Sequence, residues 1–253
     1  MEEDHDAGRP TRARRAAALV LQGVVLALTA GPSAAQMGGN TYTYVAFDEL
    51  ELATSPEAQP VVFDGEAWYG GDFDRLWLKA AGEFGTSEGQ RDAEVALQAL
   101  YSRAVTAFWN LQAGVRVDHR TEDGGATRPR LAFGVEGLAR YWFEVEAFAF
   151  VGEDGDVTGT LEASYDMLLT QRLVLEPEVE ISLASEAIPE SGLGSGFTEG
   201  EFGLRLRYEV RREFAPYIGW SWERAFGETA DLVGARGEDG TEGTFVAGFR
   251  WWY

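Results

Sequence analysis

Thr244-Phe245-Val246-Ala247-Gly248-Phe249-Arg250-Trp251-Trp252-Tyr253 ends the chain on an aromatic ring. Phe245, Ala247, Phe249, Trp251 and Tyr253 alternate with Thr244, Val246, Gly248, Arg250 and Trp252. A period of two means a strand. An apolar, aromatic face backed by a small or charged one suits a wall with lipid on one side and water on the other. Such a wall needs further strands from the rest of the chain.

They are present. Alternating segments recur at 42–53, 60–70, 75–85, 91–104, 108–120, 129–139, 141–152, 157–169, 172–185, 197–211 and 216–227, with 244–253 as the last. Turn signals separate them, among them Ser55-Pro56-Glu57, Gly71-Asp72-Phe73-Asp74, Thr170-Gln171 and Glu213-Phe214-Ala215-Pro216. Twelve segments make an even number, as single-chain bacterial barrels require. The odd-numbered gaps are polar, acidic or Gly-rich and include the long stretches 186–196 and 228–241; the even-numbered gaps are tight turns. No long stretch keeps a 3.6-residue apolar period, which excludes a helical reading. The expected fold is all-β: an antiparallel transmembrane β-barrel of twelve strands spanning 42–253. A C-terminal strand with this pattern resembles the closing strand of outer-membrane barrels, which implies outer-membrane lipid and the barrel assembly machinery as partners.

The N-terminus agrees with export. Arg9, Arg12, Arg14 and Arg15 precede the apolar run 16–30, and Ser33-Ala34-Ala35 supplies small residues for a signal peptidase. Residues 1–35 read as a cleaved signal peptide and 36–41 as a short periplasmic tether. The run is too short and too broken by Gln22 and Gly23 for a membrane helix, which takes about 20 apolar residues. The leader holds four acids and four arginines, so the net charge of −21 survives its removal. That balance argues against nucleic acid and against anionic membrane surfaces as partners. There are no cysteines, so an exported chain needs another closure, and a barrel supplies it by pairing every backbone group.

Strand phase assigns the faces. Leu173, Leu175, Val179, Ile181 and Leu183 oppose Glu176, Glu178 and Glu180; Phe202, Leu204, Leu206 and Tyr208 oppose Arg205 and Arg207; Leu111, Val115 and Val117 oppose Arg116. Tyr141, Phe143, Val145 and Ala147 fall on the phase opposite Glu144 and Glu146. Charges belong inside, because a lipid-facing Arg or Lys at mid-bilayer costs about 2–4 kcal/mol. In 42–53 Phe47 and Leu50 lie on opposite phases, which calls for a bulge. Arg250 should face the same acidic lumen that Glu49 or Glu51 enters from the first strand.

The lumen charges allow two readings. Glu144, Glu146, Glu162, Glu176, Glu178 and Glu180 could pair with Arg116, Arg205, Arg207 and Arg250 in a salt-bridged wall. Alternatively the carboxylates form a cation-selective path or a weak metal site. No catalytic residues are expected. His119, the single histidine after the leader, sits at the lipid-side rim with Arg91, Asp92, Arg128 and Pro129 as expected neighbours and Ser87 as the nearest serine, so no nucleophile–base pair forms.

Several blocks carry a family resemblance: Phe47-Asp48-Glu49-Leu50-Glu51, Gly70-Gly71-Asp72-Phe73-Asp74-Arg75-Leu76-Trp77-Leu78-Lys79, Leu100-Tyr101-Ser102-Arg103-Ala104, Phe108-Trp109-Asn110-Leu111-Gln112, Tyr141-Trp142-Phe143-Glu144-Val145-Glu146 and Arg211-Arg212-Glu213-Phe214-Ala215-Pro216-Tyr217-Ile218-Gly219. Together they resemble the copper-resistance protein B family of Gram-negative outer membranes, over about 45–253. The resemblance implies a copper-resistance and copper-homeostasis barrel, with copper as its ion and periplasmic copper-binding proteins or a multicopper oxidase as partners. Family members often carry a Met- and His-rich segment before the barrel. Here 36–41 contains Met37 and no histidine, so the resemblance transfers no ligand residues. The competing expectation is a structural or general small-solute barrel without metal handling.

Overall fold

The computed structural model describes residues 40–54, 60–87, 90–121, 125–188, 191–237 and 239–253. The expected leader and tether residues 36–39 lie outside them, as does the turn 55–57. The strands are β1 (Tyr42–Thr54), β2 (Val61–Gly70), β3 (Asp74–Ser87), β4 (Gln90–Ala104), β5 (Trp109–Arg120), β6 (Ala126–Leu138), β7 (Glu144–Gly152), β8 (Val157–Ser164), β9 (Met167–Leu168), β10 (Leu173–Ala184), β11 (Gly196–Tyr208), β12 (Phe214–Ala225) and β13 (Thr241–Trp252). One helix, α1 (Gly227–Ala235), precedes β13. Each strand pairs antiparallel with its neighbour, and β8 and β9 share β10 as partner, so the two are halves of one stave in a twelve-stave wall.

The wall closes where the alternation of the last ten residues predicts. β13 pairs with β12 on one side and β1 on the other. Val45 N donates to Tyr253 O at 2.9 Å, and Tyr253 N donates back to Val45 O at 2.8 Å. Outward residues are large, apolar and bare: Ile218 keeps 64% of its surface and Phe245 70%, with Leu111, Leu131 and Phe133 also exposed. An apolar belt running right round the molecule far exceeds the patch a water-soluble chain tolerates. Its solvent is lipid. The tight turns mark the periplasmic end and the longer loops the outer end, as in bacterial barrels.

Three local departures have physical causes. The register shifts after Phe47 on both sides of β1, the bulge that the phase conflict demands. It sends Asp48, Glu49 and Glu51 into the lumen together. The stave expected over 157–169 breaks at Tyr165-Asp166, opposite Pro177. Pro177 O accepts from Tyr165 N at 3.2 Å, but Pro177 has no N–H to return, so the ladder loses a rung there. The strand expected from Tyr141 starts only at Glu144. Arg140–Trp142 is a 3₁₀ turn with Tyr141 and Trp142 both at φ 67, closed by Ala139 N donating to Phe143 O at 2.8 Å. Tyr141 is therefore an exposed turn residue, not part of a lipid-facing strand. The stretch 228–241, expected as loop, contains most of α1.

Candidate functional site: the charged lumen

Inward-facing side chains divide the interior into two zones. The first lies against β2–β7, where Trp77, Leu100, Ala132, Phe148 and Phe150 form a buried cluster with Trp68 packed on it. Phe148 and Phe150 share the phase of Glu144 and Glu146 and so point inward. Their rings stack at 5.6 Å. Gly134 makes room: a Cβ there would lie 2.4 Å from the Phe148 ring. Arg116 covers the Phe150 ring at 4.5 Å, a cation–π contact.

The second zone is ionic and runs round β10–β13 to β1. Arg205, 6% exposed, donates Nε to Glu51 Oε1 at 2.8 Å and Nη1 to Glu178 Oε2 at 3.0 Å, while Nη2 lies 2.5 Å from Glu49 Oε1. Its side chain passes over the inner faces of β12 and β13. Gly219 leaves space for it, since a Cβ there would meet Arg205 Cγ at 3.1 Å. Arg207 holds both Asp166 oxygens, at 2.8 and 2.7 Å, and also Glu176. Arg250 pairs with Asp48 at 2.9 Å, with Glu176 at 4.0 Å. Arg250 and both Glu49 and Glu51 do face one lumen; the bulge hands those two glutamates to Arg205 and leaves Asp48 for Arg250. Three carboxylates around one buried guanidinium satisfy its planar fork.

Lys79 of β3 crosses the first zone to reach Glu136 of β6, at 3.4 Å, and Glu146 of β7. Of the carboxylates singled out from sequence, Glu146, Glu176 and Glu178 are ion-paired. Glu144, Glu162 and Glu180 have no ion-pair partner among the described residues. Arg116 bonds Asp118 at 2.7 Å. Among the described residues no three His, Cys, Asp or Glu side chains converge closely enough to hold a metal. Sequence reading missed Lys79, Glu136, Asp48 and Asp166, because what singles them out is a partner on a distant strand. Phe245, Phe249, Trp251 and Tyr253 all lie on the outward phase of β13, Phe249 packed against Phe214.

His119 sits elsewhere than expected along the rim. The β4–β5 and β5–β6 registers place Val95 and Thr127 opposite it in place of Arg91, Asp92, Arg128 and Pro129. Its Nδ1 is 2.8 Å from Thr127 Oγ1. The side chain of Ser87 lies outside the described residues.

The loop end is braced. Ser191 O accepts from Arg120 at 3.0 Å, and Ser191 Oγ from Arg128 at 2.5 Å. Gly194 N donates to Thr229 Oγ1 at 2.9 Å, and Ser195 donates to Glu228 through N and Oγ, both at 3.1 Å. The β10–β11 loop thus joins α1 to β5 and β6 across the mouth.

Comparison with known proteins matches this architecture. The family described as "Copper resistance protein B precursor (CopB)" matches residues 41–253. "Copper resistance protein B" of Escherichia coli is 43% identical over 209 residues, covering 83% of this chain and 69% of that protein. "Copper resistance protein B homolog" of Pseudomonas syringae pv. tomato is 41% identical over 211 residues, covering 83% and 70%. In fold, the chain is similar to the NanC porin, with a TM-score of 0.52 at 11% identity, over 83% of this chain and 99% of that one. With a closed twelve-stave wall, a lipid-facing belt and these relatives in view, the chain is an outer-membrane barrel that belongs to the copper resistance protein B family.

Proposed function

We propose that this barrel serves copper resistance by admitting or transiently holding copper ions in its acidic lumen. The observation that carries the reading is the charge of that lumen. Its inward carboxylates outnumber its inward lysine and arginine side chains, and an acid-rich interior favours cations. Copper here is cargo. Carboxylates are hard ligands, and without a described chelating cluster they hold a divalent ion loosely, which suits passage better than storage. Periplasmic copper-binding proteins or a multicopper oxidase are the natural recipients at the turn end. The outward aromatic face of β13 is where the barrel assembly machinery would engage the chain. No catalytic role is assigned to any residue.

A second reading has its own support. The Arg205 and Arg207 networks and the Trp77–Phe148 cluster fill much of the interior, as a structural or general small-solute barrel without specific metal handling would require. Deletion of the gene separates the two. Copper sensitivity, restored by the intact chain, supports the first; unchanged tolerance sinks it. Calorimetric titration of the refolded barrel with Cu²⁺, alongside a variant carrying Glu176→Gln, Glu178→Gln and Glu180→Gln, then tests whether the lumen carboxylates are the contact.

A further inference from the structure

The strand registers bring seven glutamates side by side. Glu136 of β6 is opposite Glu146 of β7, which is opposite Glu162 of β8. Glu162 is opposite Glu180 of β10, and Glu180 opposite Glu201 of β11. Glu201 faces Glu223 of β12, which faces Glu242 of β13. All seven lie on the inward phase. Barrel strands tilt, so a row running in the hydrogen-bonding direction climbs as it circles. Glu136 is two residues from the turn end of β6, Glu180 is inside β10, and Glu242 is one residue from the loop end of β13. The row therefore spans the lumen from the turn end to the mouth.

Like charges directly opposite one another weaken strand pairing. Six such pairs in succession are a burden that a merely structural wall would shed. Compensation is uneven along the row. Lys79 pairs with both Glu136 and Glu146 at the bottom. From Glu162 to Glu242 no rung has a lysine or arginine within ion-pair distance among the described residues; Ser221 Oγ donates to Glu201 at 2.6 Å.

Two further observations point to a ligand. Gln112 of β5 is 3% exposed, and its Nε2 donates to Glu136 Oε2 at 2.8 Å, while its Oε1 stays buried beside that lowest rung with no hydrogen-bond partner. A cation at the rung would satisfy that oxygen. Higher up, a cavity of about 70 Å³ opens between Glu180, Ser182, Glu199 and Glu201. At roughly 10–15 Å³ per water-sized sphere, it has room for a cation with part of its hydration shell. The row offers successive carboxylate stations with no chelating trio among the described residues. Conduction needs such weak, repeated binding, so that an ion can leave as well as enter.

We infer that Glu242, Glu223, Glu201, Glu180, Glu162, Glu146 and Glu136 form a continuous track along which hydrated cations pass from the mouth to the turn end. Lys79 is a tethered cation that occupies the last two stations and restricts exit. This deepens the reading of the barrel as a cation-admitting member of its family and rests on that reading.

The test is recording from the refolded full chain in planar bilayers under a KCl gradient. The reversal potential should show cation selectivity, falling several-fold in a variant with Glu162→Gln, Glu180→Gln and Glu201→Gln. Asp72→Asn, Glu209→Gln and Glu213→Gln, which remove as many charges at the turn end, should leave selectivity in place. Lys79→Met should raise cation conductance several-fold. A barrel that conducts no cations, or whose selectivity survives the three track changes, overturns the track; unchanged conductance in Lys79→Met overturns the restriction. Should the triple variant fail to fold, the single Glu162→Gln and Glu180→Gln variants carry the same measurement. Cation selectivity in a barrel whose deletion leaves copper tolerance intact would keep the track and sink the copper reading. A nonselective barrel whose deletion sensitises cells would do the reverse.

Discussion

Replacing Arg205 with methionine should be the most damaging single change inside the barrel. The side chain is 6% exposed and is ion-paired with Glu49, Glu51 and Glu178, of which Glu51 is 3% exposed. Removing one partner of a buried pair costs about 3–5 kcal/mol, because the charge left behind has neither water nor counter-ion. Glu49 and Glu178 each retain 20% side-chain exposure, so lumen water relieves them in part and the lower end of that range applies. We therefore expect Arg205→Met to destabilise the refolded barrel by about 3 kcal/mol. Urea unfolding in detergent, followed by tryptophan fluorescence, reads this as a lowered midpoint at unchanged slope. Adding Glu51→Gln should recover a substantial part, since it deletes the most buried of the orphaned charges. An Arg205→Met barrel within about 0.5 kcal/mol of the parent, in the range of exposed ion pairs, would show that the lumen is wet enough to make the network dispensable.

Other consequences are as direct. Gly134→Ala pushes a methyl into the Phe148 ring and should cost about 1–3 kcal/mol; Phe148→Leu in the same chain should return most of it in a double-mutant cycle. Leu131→Arg places a charge on the lipid face and should cost about 2–4 kcal/mol in the same unfolding assay, a penalty that shrinks toward the strand ends. Arg120→Ala combined with Arg128→Ala frees Ser191 and should speed proteolytic cleavage in the β10–β11 loop, with the barrel itself left resistant. Omitting Tyr253 removes both backbone bonds to Val45 and should lower the folded yield on refolding, read by the heat-dependent shift in gel mobility.

The staves were legible because lipid and water impose opposite demands on alternate residues. Leu173–Ala184 declares itself strand and declares its faces in one reading. The bulge in β1 was legible for the same reason, as a phase conflict between Phe47 and Leu50. What a single strand cannot express is its height against its neighbours. Lys79 meets Glu146, and Glu162 stands opposite Glu180, only after turn lengths and tilt have been set round the wall. The inward Phe148 and Phe150 were hidden by a simpler cause: β7 carries apolar residues on both phases, so alternation marked Glu144 and Glu146 and passed over the rings. The 3₁₀ turn at Arg140–Trp142 escaped because Tyr141 and Phe143 continue the apolar phase of a strand they do not belong to.

The glutamates that climb the interior also guard the assembly of the wall. A strand with side chains of period two exchanges its faces when it slips by one residue. For β10 that slip would turn Glu176, Glu178 and Glu180 into the bilayer at once; for β11 it would expose Arg205 and Arg207 there, at about 2–4 kcal/mol for each arginine near the midplane. Misaligned intermediates are thus penalised on every stave from β5 to β13, whereas β4 carries the uncharged Ala96, Gln98, Leu100 and Ser102 along the middle of its inner phase. Proofreading of strand alignment is built into the composition of the inner face, and it should be weaker at β4 than on those staves.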